Sequence, residues 1–320
     1  MSILLSNISA MEFWRYAAHV NRLPPASARR ILDAPLEKPR CQEFASLGDR
    51  GFSFLSSPIH VLVHDKASRS HRSAVRSHVT SCDLLCRSVV RLAEGLYVAT
   101  PAACFFDLAT SLSFPHAIET GFELSGRYAR SVGEFDELAK RAPLVSVAAL
   151  ERFLQRMEGV RGTAKARRVL RFVRDGSRSP METVTVVLLC LPARLGGYGL
   201  PYPVINAVIP VPQKDRPFVK KSYYECDLYW PEAKFAIEYD SNLHHTGATR
   251  IAEDASRRVD LAYLGIEVAT LTQQQTYDLR EMDRIARLLA KRLGRRLREE
   301  RLDPSGVQGA LRAHLLSSDA

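Results

Sequence analysis

The chain has no long apolar run. Its longest candidate, Val184 to Leu191, falls short of the roughly 18 residues that a membrane-spanning helix needs. The opening MSILLSNISAMEFW has no basic stretch, and Ser6, Ser9 and Glu12 interrupt its apolar residues, so no secretory leader is expected. Both absences predict a cytoplasmic protein with no membrane partner. Cysteine is sparse and scattered, at Cys41, Cys82, Cys86, Cys104, Cys190 and Cys226. Cys82 and Cys86 lack a second Cys or His pair at zinc-finger spacing, which argues against a zinc site. Cys190 and Cys226 sit in apolar contexts and read as buried free thiols. Internal repeats and low-complexity tracts are also missing.

The 320 residues are 46% hydrophobic and 25% charged, a globular balance rather than a disordered one. The net charge of +10 points to a polyanionic partner, of which nucleic acid is the commonest. A generally arginine-rich background would give the same number.

The first half reads as mixed α+β. Short helices broken by Pro24, Pro25 and Pro35 are expected over Met11–Pro39. Ile59, Val61 and Val63 are apolar at period two and predict a strand. The basic, Ser-rich KASRSHRSAVRSHV (66–79) reads as a solvated loop, with phosphate contact as the alternative. Leu96–Ala99 is a second short strand. Thr100-Pro101 opens a helix, with Thr100 as its N-cap. Phe135–Val173 reads as helical. Its stripe of Arg161, Lys165, Arg167, Arg168, Arg171 and Arg174 reads first as a solvated face. The Gly, Ser and Pro of RDGSRSP (174–180) mark a domain boundary.

Beyond it the pattern is more regular. Ser179 caps a helix running to about Cys190, with Glu182 placed as in a capping box. Strands follow over Pro203–Pro210, Tyr223–Trp230 and Phe235–Asp240. Thr246–Leu264 is a helix ended by Gly265, Ile266–Leu271 a strand, and Tyr277 to about Leu302 a long basic helix. The expected organisation is an N-terminal α+β domain over 1–175, an α/β domain over 176–302 and a tail over 303–320.

The segment YECDLYWPEAKFAIEYDSNLHH carries the chemistry. If Pro231–Lys234 is a hairpin loop, Trp230 faces Phe235, and counting back pairs Asp227 with Glu238. Alternation then places Asp227, Glu238 and Asp240 on one face. Cys226, Leu228, Trp230, Phe235, Ile237 and Tyr239 fall on the other, apolar face. Opposed carboxylates repel. A divalent cation between them, Mg²⁺ or Mn²⁺, would turn repulsion into coordination and suits phosphodiester hydrolysis. The alternative is an edge hairpin with chance acids.

The helix, three strands, helix, strand order, with Asp, ten residues, then Glu, resembles the PD-(D/E)XK nuclease core. SPMETV, ECDLYWPEAKFAIEYDSNLHH and DASRRVDLAYLGIEVATLT resemble the branch related to very-short-patch repair endonucleases. Glu182, Asp227, Glu238, Asp240 and His245 fall on that branch's motif positions, and Asp254, Arg257, Leu261 and Gly265 on its helix motif. The resemblance covers roughly 120 residues. It departs at two places. Asp240 stands where the wider superfamily has Lys, as it does in this branch, and Ser241 stands where the branch has Gly.

The resemblance implies a restriction-endonuclease-like αβββαβ core with a long C-terminal helix, acting as a metal-dependent endonuclease on DNA. It implies that Asp227 and Glu238 hold the metal, with Asp240 binding it directly or through water. Glu182 either binds a water of the same ion or only completes the capping box. His245, or His244, would handle a proton at the attacking water or leaving oxygen, or the pair is a surface turn. Arg257 faces the phosphate, pairs with an acid of the site, or is simply solvated. On the last helix, Arg284, Arg287, Lys291 and Arg295 offer a phosphate-binding face, or a merely soluble one. EGLYVATPAACFFDLAT (94–110) is faintly similar to abortive-infection antitoxins, which would give the N-terminal domain a protein or DNA partner. The rival reading is a nucleic-acid-binding regulator or toxin–antitoxin component whose nuclease domain is inactive.

Overall fold

The computed structural model describes residues 3–28, 30–31, 47–240, 248–297, 303 and 305–317. The chain is mixed α/β and divides into two compact units, Met1–Asp175 and Gly176–Ala320. The division falls within the Gly-, Ser- and Pro-bearing segment 174–180.

In chain order the first unit contains β1 (Ile3–Leu5), α1 (Asn7–His19), β2 (Arg30–Ile31), β3 (Ile59–Val63), β4 (Val75–Val79), α2 (Asp83–Arg87), β5 (Ser88–Ala93) and β6 (Leu96–Ala99). These are followed by α3 (Pro101–Ser111), α4 (Phe114–Ser125), β7 (Tyr128–Ala129), β8 (Ala139–Lys140), α5 (Val147–Arg156) and α6 (Thr163–Leu170). The main sheet has the order β2-β5-β6-β1-β3-β4. Thr100 caps α3 by accepting the Ala103 N–H.

Two expectations for this unit fail. The second half of the supposed loop 66–79 is strand β4, paired parallel to β3 from Ile59↔Val75 to Val63↔Val79. Alternating Arg76 and His78 hid it, because only Val75 is buried. The helical reading of Phe135–Val173 holds only from α5 onward. Before it, β8 pairs with β7, and the helix begins where Ser146 accepts the Ala149 N–H. Gly162, with φ 99°, separates α5 from α6. The basic stripe is partly structural too. Lys165 Nζ donates to Thr110 O and Leu112 O at the end of α3, and the Arg168 guanidinium lies 4.9 Å from the centre of the Phe114 ring.

An ion-pair network is buried among these helices. Arg15 donates from Nε and Nη2 to the two oxygens of Glu123, at 2.9 and 2.8 Å. Arg130 reaches Glu119 Oε1 at 2.7 Å and gives its backbone N–H to Glu123. Burial alone would raise the Glu123 carboxyl, but Arg15, and then Arg130, hold it below its ordinary value. Its contribution is therefore present above the unfolded value of about 4.3 and is lost as pH falls through the lower folded one. Arg15→Ala, which strands a buried carboxylate, is expected to cost about 3 kcal/mol in denaturant unfolding at neutral pH, with the deficit shrinking in acid.

The second unit runs α7 (Pro180–Cys190), β9 (Val204–Pro210), β10 (Tyr223–Trp230), β11 (Phe235–Asp240), α8 (Ala248–Tyr263), β12 (Glu267–Thr272), α9 (Gln273–Tyr277), α10 (Leu279–Arg292) and α11 (Val307–Leu315). Its sheet has the order β12-β11-β10-β9. β10 is antiparallel to both neighbours, and β12 runs parallel to β11 through the α8 crossover. Helix α7 is apolar around most of its circumference and is buried from Glu182 to Cys190, as a central helix should be. Under α8, Leu261 packs with Val211, Tyr224, Cys226, Ala236 and Ile266.

The long C-terminal helix expected over Tyr277 to about Leu302 is shorter. Asp278 accepts the Arg280 and Glu281 N–H groups and so starts α10 afresh, and α10 ends at Arg292, before Gly294 at φ 62°. The supposed tail 303–320 contains helix α11. Leu311 and Leu315 are buried, and Arg312 donates to Thr276 O and Tyr277 O at 3.1 and 2.9 Å, closing α9. Nine residues between two Ser- and Asp-rich ends gave too weak a period to read. Removal of 303–320 is expected to lower the melting temperature of the second unit. Arg312→Ala should cost about 1–3 kcal/mol through the uncapped carbonyls, read by circular dichroism.

Candidate functional site

The hairpin forms in the register read from the sequence. Trp230 pairs with Phe235, Tyr229 with Ala236 and Leu228 with Ile237. The next step of that count sets Asp227 against Glu238, and there the regular pairing stops. Asp227 Oδ2 instead accepts the Tyr239 N–H at 2.9 Å, so a side chain takes over the place of a ladder carbonyl. On the other flank Cys226 pairs with Ala207 and Leu228 with Ile205. Between them Asn206 has φ 49°, a left-handed conformation that Asn tolerates better than most residues.

This interruption overturns part of the expected facing. Leu228, Trp230, Phe235 and Ile237 are buried as the alternation required. Cys226, however, packs with Ala236, Leu261 and Ile266 on the α8 side, and Arg257 Nη2 lies 3.9 Å from its Sγ. Tyr224 follows it, giving its hydroxyl to Asp260 of α8 at 2.6 Å. Burial, with Glu238 beside it, pushes the Cys226 thiol up to about 12, so it stays protonated at neutral pH.

Glu182 reaches the same place from α7. Ser179 Oγ accepts the Glu182 N–H at 3.1 Å, the first half of a capping box. The second half is altered. Glu182 Oε2 accepts the backbone N–H of Arg178, not of Ser179, and also Asn206 Nδ2, at 2.9 and 2.7 Å. Glu182 thus serves the helix start and faces the acids as well. Burial raises its carboxyl, and the charge of Asp227 raises it further. Burial likewise raises Asp227. Glu238 adds to that rise, while the Tyr239 N–H, Arg257 and Arg178 oppose it. The charge of Asp227 on β10 thus reaches Glu182 on α7, and that of Glu238 on β11 reaches Asp227.

Arg257 of α8 answers Glu238 with both ends of its fork. Nη1 donates to Oε2 at 2.5 Å and Nη2 to Oε1, while Nη2 also donates to the Glu225 carbonyl. Of the three readings of Arg257, pairing with an acid is the one seen. Arg178 Nη1 closes the rim on Glu225 Oε2 at 2.6 Å.

Asn206 was not foreseen. Its amide nitrogen bonds Gly176 O and Glu182, and its Oδ1 is buried with no hydrogen-bond partner among the described residues. The only signal was one polar residue inside the apolar strand VINAVI. Asp240 ends β11 opposite Thr272, two residues beyond Glu238 on the same side of the strand. His245, His244 and Ser241 lie outside the described residues. Arg284, Arg287 and Lys291 are exposed along α10, with Arg284 paired to Glu281 at 2.7 Å. Arg295 lies beyond the helix end.

No protein-family model matches the chain, and no match is found among curated proteins or solved structures. Among the described residues no helix is long and apolar enough to cross a membrane.

Because the folded Asp227 carboxyl holds its proton more tightly than the ordinary value of about 3.9, its charge costs stability once pH rises through that window. Asp227→Asn keeps an acceptor for the Tyr239 N–H and removes the charge. In EDTA its melting temperature should exceed that of the parent at pH 7–8, with the gap closing toward pH 4. A lower value throughout would mean that the acids do not strain one another.

Proposed function

We propose that the second unit is a metal-dependent endonuclease domain of the PD-(D/E)XK type, acting on DNA. The observation that carries this reading is the buried Asp227, which neighbours Glu238 and whose charge acts on Glu182, with Asn206 bonded to Glu182 and its Oδ1 orphaned. The raised proton affinity of Glu182 and Asp227, next to a buried acceptor lacking a donor, marks oxygen ligands chemically suited to a hard cation such as Mg²⁺ or Mn²⁺. The α7-β9-β10-β11-α8-β12 order agrees with the resemblance of the sequence to that nuclease core.

Asp227 and Glu238 would hold the cation, with Asp240 and Glu182 in direct or water-mediated support. When bound, the cation would supply positive charge to a phosphoryl oxygen. The chain's own residues do the rest. The Tyr239 N–H fixes the rotamer of Asp227, and the Arg178 N–H and Asn206 fix that of Glu182. An imidazole nitrogen of His245 would give or take the proton. Exposed Arg284, Arg287 and Lys291, with Arg295 beyond them, would hold the nucleic-acid backbone through salt-dependent contacts. The first unit would recruit a protein or DNA partner, and the protein would act in the cytoplasm.

The test is nicking of supercoiled plasmid with Mg²⁺ or Mn²⁺. Nicking by the parent protein, abolished by EDTA and reduced at least about a hundredfold by Asp227→Ala and by Glu238→Ala, is the expected result. The second reading, an inactive nucleic-acid-binding domain, is favoured by Arg257 occupying Glu238. It predicts no nicking on duplex or single strands, together with metal-independent DNA binding that weakens steeply with salt.

A further inference from the structure

We infer that Arg257 is a built-in counter-ion that competes with the metal for Glu238, so that the site takes up its cation readily only when an anion draws the arginine away. The inference rests on the metal-site reading above and adds to it how the site is regulated.

The geometry is specific. Both Glu238 oxygens are engaged by the two terminal nitrogens of one guanidinium. The side chains of the pair are each 23% exposed, so solvent screens it only partly. Arg257 is held from behind as well, by the Glu225 carbonyl, and its charge also offsets that of Asp227. It therefore supplies near these acids the positive charge that a divalent ion would bring.

A cation and a guanidinium on the same two oxygens repel each other, and the forked hydrogen bonds already take one lone pair of each oxygen. The ion therefore binds Glu238 more tightly once the fork has left it. Once displaced, Arg257 is a planar bidentate donor on α8 beside these acids. A phosphodiester presents the oxygen pair that such a fork matches. Metal and phosphate affinities are then linked, each raising the other by the same factor. Lysine would hold Glu238 less well and would not make the forked contact.

The experiment is a Mn²⁺ titration of the full chain, following the signal of free Mn²⁺ by electron paramagnetic resonance. It compares the parent, Arg257→Gln, Arg257→Lys and the double variant Arg257→Gln/Glu238→Gln. Arg257→Gln should bind Mn²⁺ about tenfold more tightly than the parent, with Arg257→Lys between them, and the gain should vanish in the double variant. In EDTA the Arg257→Gln melting temperature should lie below that of the parent, and in saturating Mn²⁺ the gap should close or reverse. A non-cleavable phosphorothioate duplex should raise the Mn²⁺ affinity of the parent and leave that of Arg257→Gln unchanged.

Equal or weaker Mn²⁺ binding by Arg257→Gln, or equal enhancement of both proteins by the duplex, overturns the competition and leaves the metal site standing. If Arg257→Gln does not fold, Arg257→Lys decides by the same comparison. Absence of Mn²⁺ binding in the parent and every folded variant overturns the metal site and this inference together.

Discussion

Burial of neighbouring carboxyls, Glu182 near Asp227 and Asp227 near Glu238, is the constraint around which α7, β10 and β11 are locally arranged. Glu182, Asp227 and Glu238 come from elements that the core would place there regardless of their charge. Helix α7 is buried for its apolar residues, and β10 and β11 are fixed by Trp230, Leu228, Phe235 and Ile237. The acids are thus carried into proximity by packing, and each then needs its own relief. Asp227 takes a backbone N–H, Glu182 takes a backbone N–H and an amide, and Glu238 takes a guanidinium. The interruption of both ladders at Asp227 belongs to the same relief, because a continuous strand would have kept its carboxylate away from the Tyr239 N–H.

The first unit solves a related problem in another way. Glu123 is almost wholly buried, yet two arginines and a backbone N–H overcompensate its desolvation. There the charges balance and the carboxyl is held ionised. In the second unit Asp227 and Glu182 remain under-compensated, and their proton affinity rises.

What the sequence revealed follows from how local each signal was. The β10–β11 register was legible because a tight hairpin loop and large paired apolar residues leave one alignment. The Ser179 cap, the Thr100 cap and the Gly265 stop were legible because each lies within one turn of chain. The place of Cys226 was not, since period-two alternation assumes an unbroken ladder and Asn206 breaks it from the neighbouring strand. Arg257 meeting Glu238 spans 19 positions, and no local rule chooses between that partner and solvent. Strand β4 was hidden by an arginine and a histidine in its middle, and α11 by its shortness. Helix α9 went unread because it has only five residues, and α10 stopped short of the expected length at Gly294.

The chain's entry into the second unit is also mechanically coupled to the acids. Gly176 O holds Asn206, the Arg178 N–H holds Glu182, and the Arg178 side chain holds Glu225, all within the first few residues after Asp175. The segment that would ordinarily serve as slack between folded units is here stitched to the carboxylates it precedes. The backbone path just after Asp175 and the rotamers of Glu182 and Asn206 are therefore set by the same hydrogen bonds.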